Sequence, residues 1–336
     1  MKNLYIFSLV ALVSCGGAIK NENDKVVVEP GTEADFKKDD SSMIGKKQVV
    51  ATNTVTVVKD QPEGPKADPN HELNEFIGFW VGDFEPKEDD YSKDIIAGDG
   101  FYWNRTNKIN ISLDSFAGNN VFGHSVVAGN DRPFKGTYSG VDGSGGYLID
   151  VQEPGDNKYD GAFSFTIGNG KLSGTWKAYK EIDIQERAFE LERAEFSYDA
   201  SIQLEYTQPF VDYLNAKETK QVYEYEDEVE EWISTEYETA TDAIYEVNAS
   251  ERLLSKDEVE NMKRGDLLII RNAIYARHGY SFKQRPLRIF FDAQPWYIPV
   301  HSDIRADFTE IEKTNIKLLL KYEKNAKEYY DSFGRG

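Results

Sequence analysis

Cysteine is almost absent from this 336-residue chain. Cys15 stands alone, which excludes an intrachain disulfide and any zinc site built on several cysteines. Histidine is scarce as well: His71, His124, His278 and His301 are the only four, and none are paired at helical metal-ligand spacing. No Gly-x-Ser-x-Gly, His-Glu-x-x-His or phosphate-cradling glycine loop occurs, so neither an enzyme activity, a metal nor a cofactor is read from the chain. Positive charge is also short. Lys and Arg number 39 against 59 Asp and Glu, a net charge of −20, which argues against general nucleic-acid binding. Apolar runs stay well below the roughly 20 residues that a membrane-spanning helix needs.

What is present is organised in segments. Lys2 begins a short positively charged stretch, Leu4 to Val13 are mostly apolar, and Ser14-Cys15-Gly16 offer small residues for cleavage, the layout of a secretory signal. Leu12-Val13-Ser14-Cys15 resembles the lipobox of bacterial lipoproteins. The resemblance implies a signal peptide over 1–14, cleavage before Cys15 and lipid on its sulfur, so that the membrane is a partner through that lipid. Gly16 in place of Asp implies outer-membrane sorting among such proteins. Residues 15–70 then read as a flexible tether, rich in Lys, Glu, Asp, Val and Thr without helical periodicity. Its typical span is roughly 40 Å. Within it, Val49 to Val58 is β-prone and offers a strand to the following domain as an alternative.

Residues 71–200 have the texture of an antiparallel all-β domain. Short alternating runs recur near 77–84, 108–113, 121–128, 134–138, 147–151, 163–167, 171–176 and 187–198, which makes eight strands and predicts an up-and-down barrel or meander. Gly168-Asn169-Gly170 between two runs signals a hairpin turn. Gly78-Phe79-Trp80 resembles the Gly-x-Trp that opens lipocalin- and calycin-type barrels, where an arginine of the last strand packs over the tryptophan; Arg187 and Arg193 are the matching arginines here. The abundance of Phe and Tyr favours an interior filled by side chains over a cavity, with a carrier of a small apolar ligand as the alternative. Residues 201–250 form an acidic connector, densest at 224–231.

Residues 251–330 are predicted to be a small all-α domain, so the fold class is multi-domain: a barrel-like β domain followed by helices. Ser255-Lys-Asp-Glu258 and Thr309-Glu-Ile-Glu312 are capping boxes that open helices. Asp266 is expected to cap a helix carrying Leu267, Ile270, Ile274 and Arg277 on one buried stripe. Gly279 stops that helix; Pro286 starts the next and Pro295 forbids its continuation. This part is mildly basic, with 16 Lys and Arg against 13 Asp and Glu over 251–336.

Tyr275-Ala-Arg-His-Gly279 with Arg271-Asn272 before it and Tyr280-x-Phe282, Pro295-Trp-Tyr297 and Glu312-x-x-Asn315 after it is similar to the YARHG domain of bacterial extracytoplasmic proteins. Two readings of the motif stand side by side. In the first, Tyr275, Arg277, His278, Tyr280, Trp296 and Tyr297 form a ligand surface, with Arg277 as a fork for carboxylate or phosphate and an exposed rim around His278, Tyr280 and Tyr297. In the second they are architecture: Arg277 pairs with Asp292, His278 donates to a carbonyl at the helix end, and Trp296 wedges between helices. The expected function is a non-enzymatic, lipid-anchored outer-membrane protein that binds peptidoglycan, a peptide or an envelope protein. A cell-wall hydrolase using Arg277 and His278 is a further alternative.

Overall fold

Eight runs of alternating residues close into one barrel. The computed structural model describes residues 68–329, apart from 89, 98–99, 142–145 and 226–227; the signal, Cys15 and the β-prone 49–58 stretch lie outside them. Strand β1 (Gly78–Pro86) is followed by a short ribbon, β2 (Ile95–Ala97) and β3 (Phe101–Trp103). Then come β4 (Asn107–Ala117), β5 (Asn120–Val127), β6 (Asn130–Gly140), β7 (Tyr147–Gln152), β8 (Gly161–Gly168), β9 (Lys171–Ala178) and β10 (Glu186–Ala194). Each barrel strand pairs antiparallel with its sequence neighbour, and β1 closes the ring between β10 and β4. All eight expected strands are found here.

The period of two decides which side chains enter. In β8, Phe163, Phe165 and Ile167 are buried while Ser164 and Thr166 face outward. Asn169 and Gly170 take φ of 52° and 76° and join β8 to β9 in a two-residue turn. The interior is packed with rings: Phe84 lies 6.4 Å from Phe163, 5.7 Å from Trp176 and 6.1 Å from Phe189. A 3-10 turn (Glu72–Phe76) closes one end with buried Leu73 and takes the Trp80 indole N–H on the Phe76 carbonyl at 2.9 Å. Arg193 sits opposite Trp80 in the ladder and donates to the carbonyls of Glu75 and Ile77. Arg187 is instead buried at the other end of β10, over the Phe84 ring.

The stretch 201–250 is more than a connector. Strands β11 (Val211–Tyr225) and β12 (Glu228–Thr239) form a long two-stranded hairpin. Leu204, Phe210, Ile244 and Ala249 on its flanks enter the helical core. Composition concealed this because the acidic residues fall on both faces of a ribbon that is mostly solvated, so neither face shows an apolar period.

Five α-helices follow among the described residues: α1 (Ala243–Glu246), α2 (Lys256–Val259), α3 (Arg264–Arg277), α4 (Arg285–Asp292) and α5 (Glu310–Tyr329). Helix α3 is central; its stripe Leu267, Ile270, Ile274 and Arg277 is buried, and so is most of the rest of its surface. Its start differs from expectation. Asp266 is not the cap but sits at the third helical position, where its carboxylate takes the amides of Lys263 and Thr241. Gly265 lies against the Thr239 carbonyl at the hairpin's foot, where a Cβ would approach to 2.2 Å. No described helix is long and apolar enough to cross a membrane.

The two units are bonded together. Lys108 of β4 donates its amide to Asp292 at 2.9 Å and its ammonium to the carbonyls of Gln294 and Tyr297 at 2.7 and 3.1 Å. Asn110 donates to Pro299, and the Gly129 amide to Ser281.

Candidate functional site

The residues singled out by the motif converge at the C-terminal end of α3. Gly279 has φ +72°, and its amide reaches the Ala276 carbonyl while the Tyr280 amide reaches that of Tyr275 at 3.1 Å. These two bonds make a Schellman cap, which requires the left-handed residue that glycine supplies. Phe196 and Val300 crowd the glycine Cα, so the turn is also a packing point between the chain leaving the barrel and the loop after α4.

The cap holds His278 in the interior. Its Nε2 lies 2.8 Å from Glu312 Oε2, and Glu312 is 0 % exposed. Tyr198 stacks on the imidazole with ring centroids 4.2 Å apart and donates its hydroxyl to Glu312 Oε1 at 3.0 Å. Phe308 meets the imidazole edge-on. Glu312 also serves as the capping-box carboxylate of α5, taking the Thr309 amide at 2.9 Å. Burial pushes its carboxyl up; the bonds from His278 and Thr309 outweigh burial and hold it below the usual carboxylate value. One carboxylate therefore caps α5, fixes the end of α3 and ties in the chain segment that leaves the barrel.

Arg277 does not pair with Asp292, as the architectural reading expected. It is 3 % exposed, donates Nε to the Ile202 carbonyl at 2.8 Å and reaches the Ser250 hydroxyl at 3.4 Å. Asp292 faces the barrel and Lys108 instead, and burial pushes its carboxyl up to about 6. The carbonyl partner expected for His278 is likewise replaced by Glu312. The expected exposed rim is not there: Tyr275, His278, Tyr280 and Tyr297 are all buried. Tyr297 donates its hydroxyl to the Tyr280 carbonyl at 2.7 Å. Trp296 is half-buried against the helical core, edge-on to Tyr297, and its indole N–H has no partner.

Residues outside the motif complete the joint. Arg271 makes a two-nitrogen bridge to Glu323 that binds α3 to α5. Asn315 donates to the carbonyls of Ala249 and Arg252 and accepts from the Leu254 amide. Glu312 and Asn315 were visible as a capping-box residue and its neighbour one turn on. Tyr198, Ile202 and Ser250 carried no local signal, since their roles arise only from tertiary contact.

Residues 242–324 match the YARHG domain family. This stretch is a YARHG domain. It begins at the foot of the hairpin and includes every helix from α1 to α4 and most of α5. No curated protein and no solved structure matches the chain. Among the described residues, no group of three or more His, Cys, Asp and Glu is placed to hold a metal. Two shallow concavities of about 300 and 390 Å³ lie elsewhere, one beside α2 and α5 and one on the outer face of β1 and β10. The motif is thus a buried hydrogen-bonded joint, whereas the hairpin carries exposed apolar side chains. Leu214, Val222, Trp232 and Ile233 are all exposed there, Trp232 by 66 %.

Proposed function

We propose that this chain is a lipid-anchored protein of the bacterial outer membrane, held by lipid on Cys15, that binds an envelope peptide or protein and catalyses no reaction. In this reading the barrel and the YARHG domain are a rigid base, and the β11–β12 hairpin is the recognition element. One observation carries it. The motif side chains are spent on internal bonds, while a long ribbon with ten acidic residues, two lysines and four exposed apolar side chains directly precedes that domain in the chain. Two-stranded ribbons gain stability from a partner that adds a strand or covers a face, and exposed tryptophan is a favoured anchor for binding.

The ring-filled interior of the barrel gives no support to a carrier of a small apolar ligand. A hydrolase reading needs His278 to meet a substrate, and its ring lies between Tyr198, Phe308 and Glu312.

Full-length protein, immobilised, is to be challenged with purified peptidoglycan and with envelope proteins. Retention of a protein or peptide that disappears in the Trp232→Ser, Ile233→Ser double variant, with thermal stability unchanged, is the expected result. Equal retention by that variant overturns the hairpin's role. For the anchor, Cys15→Ala is expected to leave the membrane fraction; continued membrane partitioning would sink the lipid assignment.

A further inference from the structure

Closure leaves the barrel without a free edge. Each of its eight strands already has two neighbours, so no further strand can pair with it. Among the described residues, open sheet edges remain only on the ribbons β2–β3 and β11–β12. The first is three residues long on each side. The second pairs across 211–225 and 228–239 and has room for a full strand.

The longer ribbon is also uncovered. Val222 and Ile233 fall on one face of its ladder and Trp232 on the other, and all three are more than half exposed. A two-stranded ribbon is marginal in water by itself, and an added strand supplies backbone hydrogen bonds along its edge. Charge restricts what can be added. Ten acidic residues against two lysines leave 211–239 eight charges negative. Both lysines stand on β11, whereas β12 carries five glutamates and no basic residue. Glu231 meets Lys220 and Glu238 meets Arg264, which leaves most of the excess in place. A second copy of the ribbon brings the same charge and is repelled.

The chain holds a segment with the opposite properties. Between Asp40 and Asp60 there are three lysines, Lys46, Lys47 and Lys59, and no acidic residue. Inside those lysines, eight of the ten residues from Val49 to Val58 are Val or Thr, a composition that favours a strand. Ten residues suit the twelve of β12. The ribbon is also within reach. The nine residues from Asp60 to Asp68 extend about 30 Å, and the Asp68 amide meets the Phe116 carbonyl near the end of β4. From there β4 runs about the same distance back to Asn107. That end of the barrel carries the β2–β3 ribbon, whose Phe101 and Trp103 pack with Val211 at the hairpin's foot.

We propose that residues 49–58 add to the outer edge of β12 as a third strand, with their flanking lysines set against its glutamates. The ribbon becomes a three-stranded sheet, and the segment ahead of the barrel is held to it. Pairing uses the backbone edge and leaves the faces with Trp232 and Ile233 open, so it does not depend on any partner the hairpin takes.

The test is hydrogen exchange on the full chain with no partner added. Amides of 49–58 and of β12 are expected to exchange about tenfold or more slowly in the wild type than in the Val55→Pro, Thr56→Pro double variant. The two positions are adjacent, so one lost amide faces β12 in either register. Both lie outside the described barrel and helices, and the barrel amides serve as the internal reference for an intact fold. The triple variant Lys46→Glu, Lys47→Glu, Lys59→Glu is expected to lose the same protection. Exchange of 49–58 in the wild type at the rate of an unstructured peptide overturns the proposal. Protection of β12 that is equal in the wild type and the proline variant overturns it as well, and unchanged protection in the glutamate variant overturns the charge pairing. Protection of 49–58 that rises with protein concentration assigns the strand to a second copy and overturns pairing within one chain.

Discussion

Replacing His278 by alanine removes the donor that faces a fully buried carboxylate. Glu312 keeps the Tyr198 hydroxyl and the Thr309 amide but loses the imidazole at 2.8 Å. A charge-assisted bond of this kind is worth about 1.5–3 kcal/mol. The stacked Tyr198 ring at 4.2 Å and the edge of Phe308 add about 0.5–1.5 kcal/mol in lost aromatic contact. With the cavity left behind, the total is about 3–5 kcal/mol, the range found when one partner of a buried pair is deleted. In thermal unfolding this corresponds to a fall of roughly 10 °C for a protein of this size. The local assay is native-state hydrogen exchange, in which the amides of α3 and α5 lose protection ahead of the barrel strands. His278→Gln, which keeps a donor, recovers part of the loss. The pair also has a pH signature. Because Glu312 is held below its ordinary value of 4.5, its contribution is fully present above about that pH. It is lost as the pH falls through the lower folded value, so wild type and Glu312→Gln should converge in acid. A loss below about 1 kcal/mol in His278→Ala, with exchange unchanged, would refute the joint.

Three further perturbations address other parts of the fold. Burial, reinforced by Asp212 and opposed by Arg264, raises Glu238 to about 7. Between about 4.5 and 7 the folded state binds the extra proton, so stability falls as pH rises. Glu238→Gln should flatten that slope, a difference of up to about 3 kcal/mol, read from Tm against pH. Gly279→Ala forces a left-handed alanine at φ +72° with its Cβ 3.0 Å from the Phe196 ring and 3.2 Å from Val300. It should cost about 2–3 kcal/mol in urea unfolding. Lys108→Met deletes two charge-assisted bonds across the interface, worth about 2–4 kcal/mol. Scanning calorimetry should then resolve the barrel and the YARHG domain as two transitions, and a single unshifted transition would show that the clamp contributes nothing.

The fold was legible where a single element carries its own signal. In β8 and β9, alternation named both faces and the turn between them; in α2 and α5, capping boxes named the starts; at Gly279 the end of α3 was plain. Local backbone preference and one-sided burial are written in consecutive residues, so a reader of the chain can recover them. The motif itself was equally legible, yet its meaning was not. Arg277 had two candidate roles, and its actual partners, the Ile202 carbonyl and the Ser250 hydroxyl, lie 75 and 27 residues away in a stretch that reads as acidic connector.

The amino-acid sequence by itself determined eight barrel strands, the capping boxes that open α2 and α5, the stop of α3 at Gly279 and the presence of a YARHG motif. Only the tertiary structure decided that His278 meets Glu312, that Asp292 faces Lys108 of the barrel, and that the acidic stretch rises as a hairpin. Those outcomes depend on which buried charges and hydroxyls arrive within about 3 Å of each other. That distance is set by the packing of whole elements, which no local run of residues specifies.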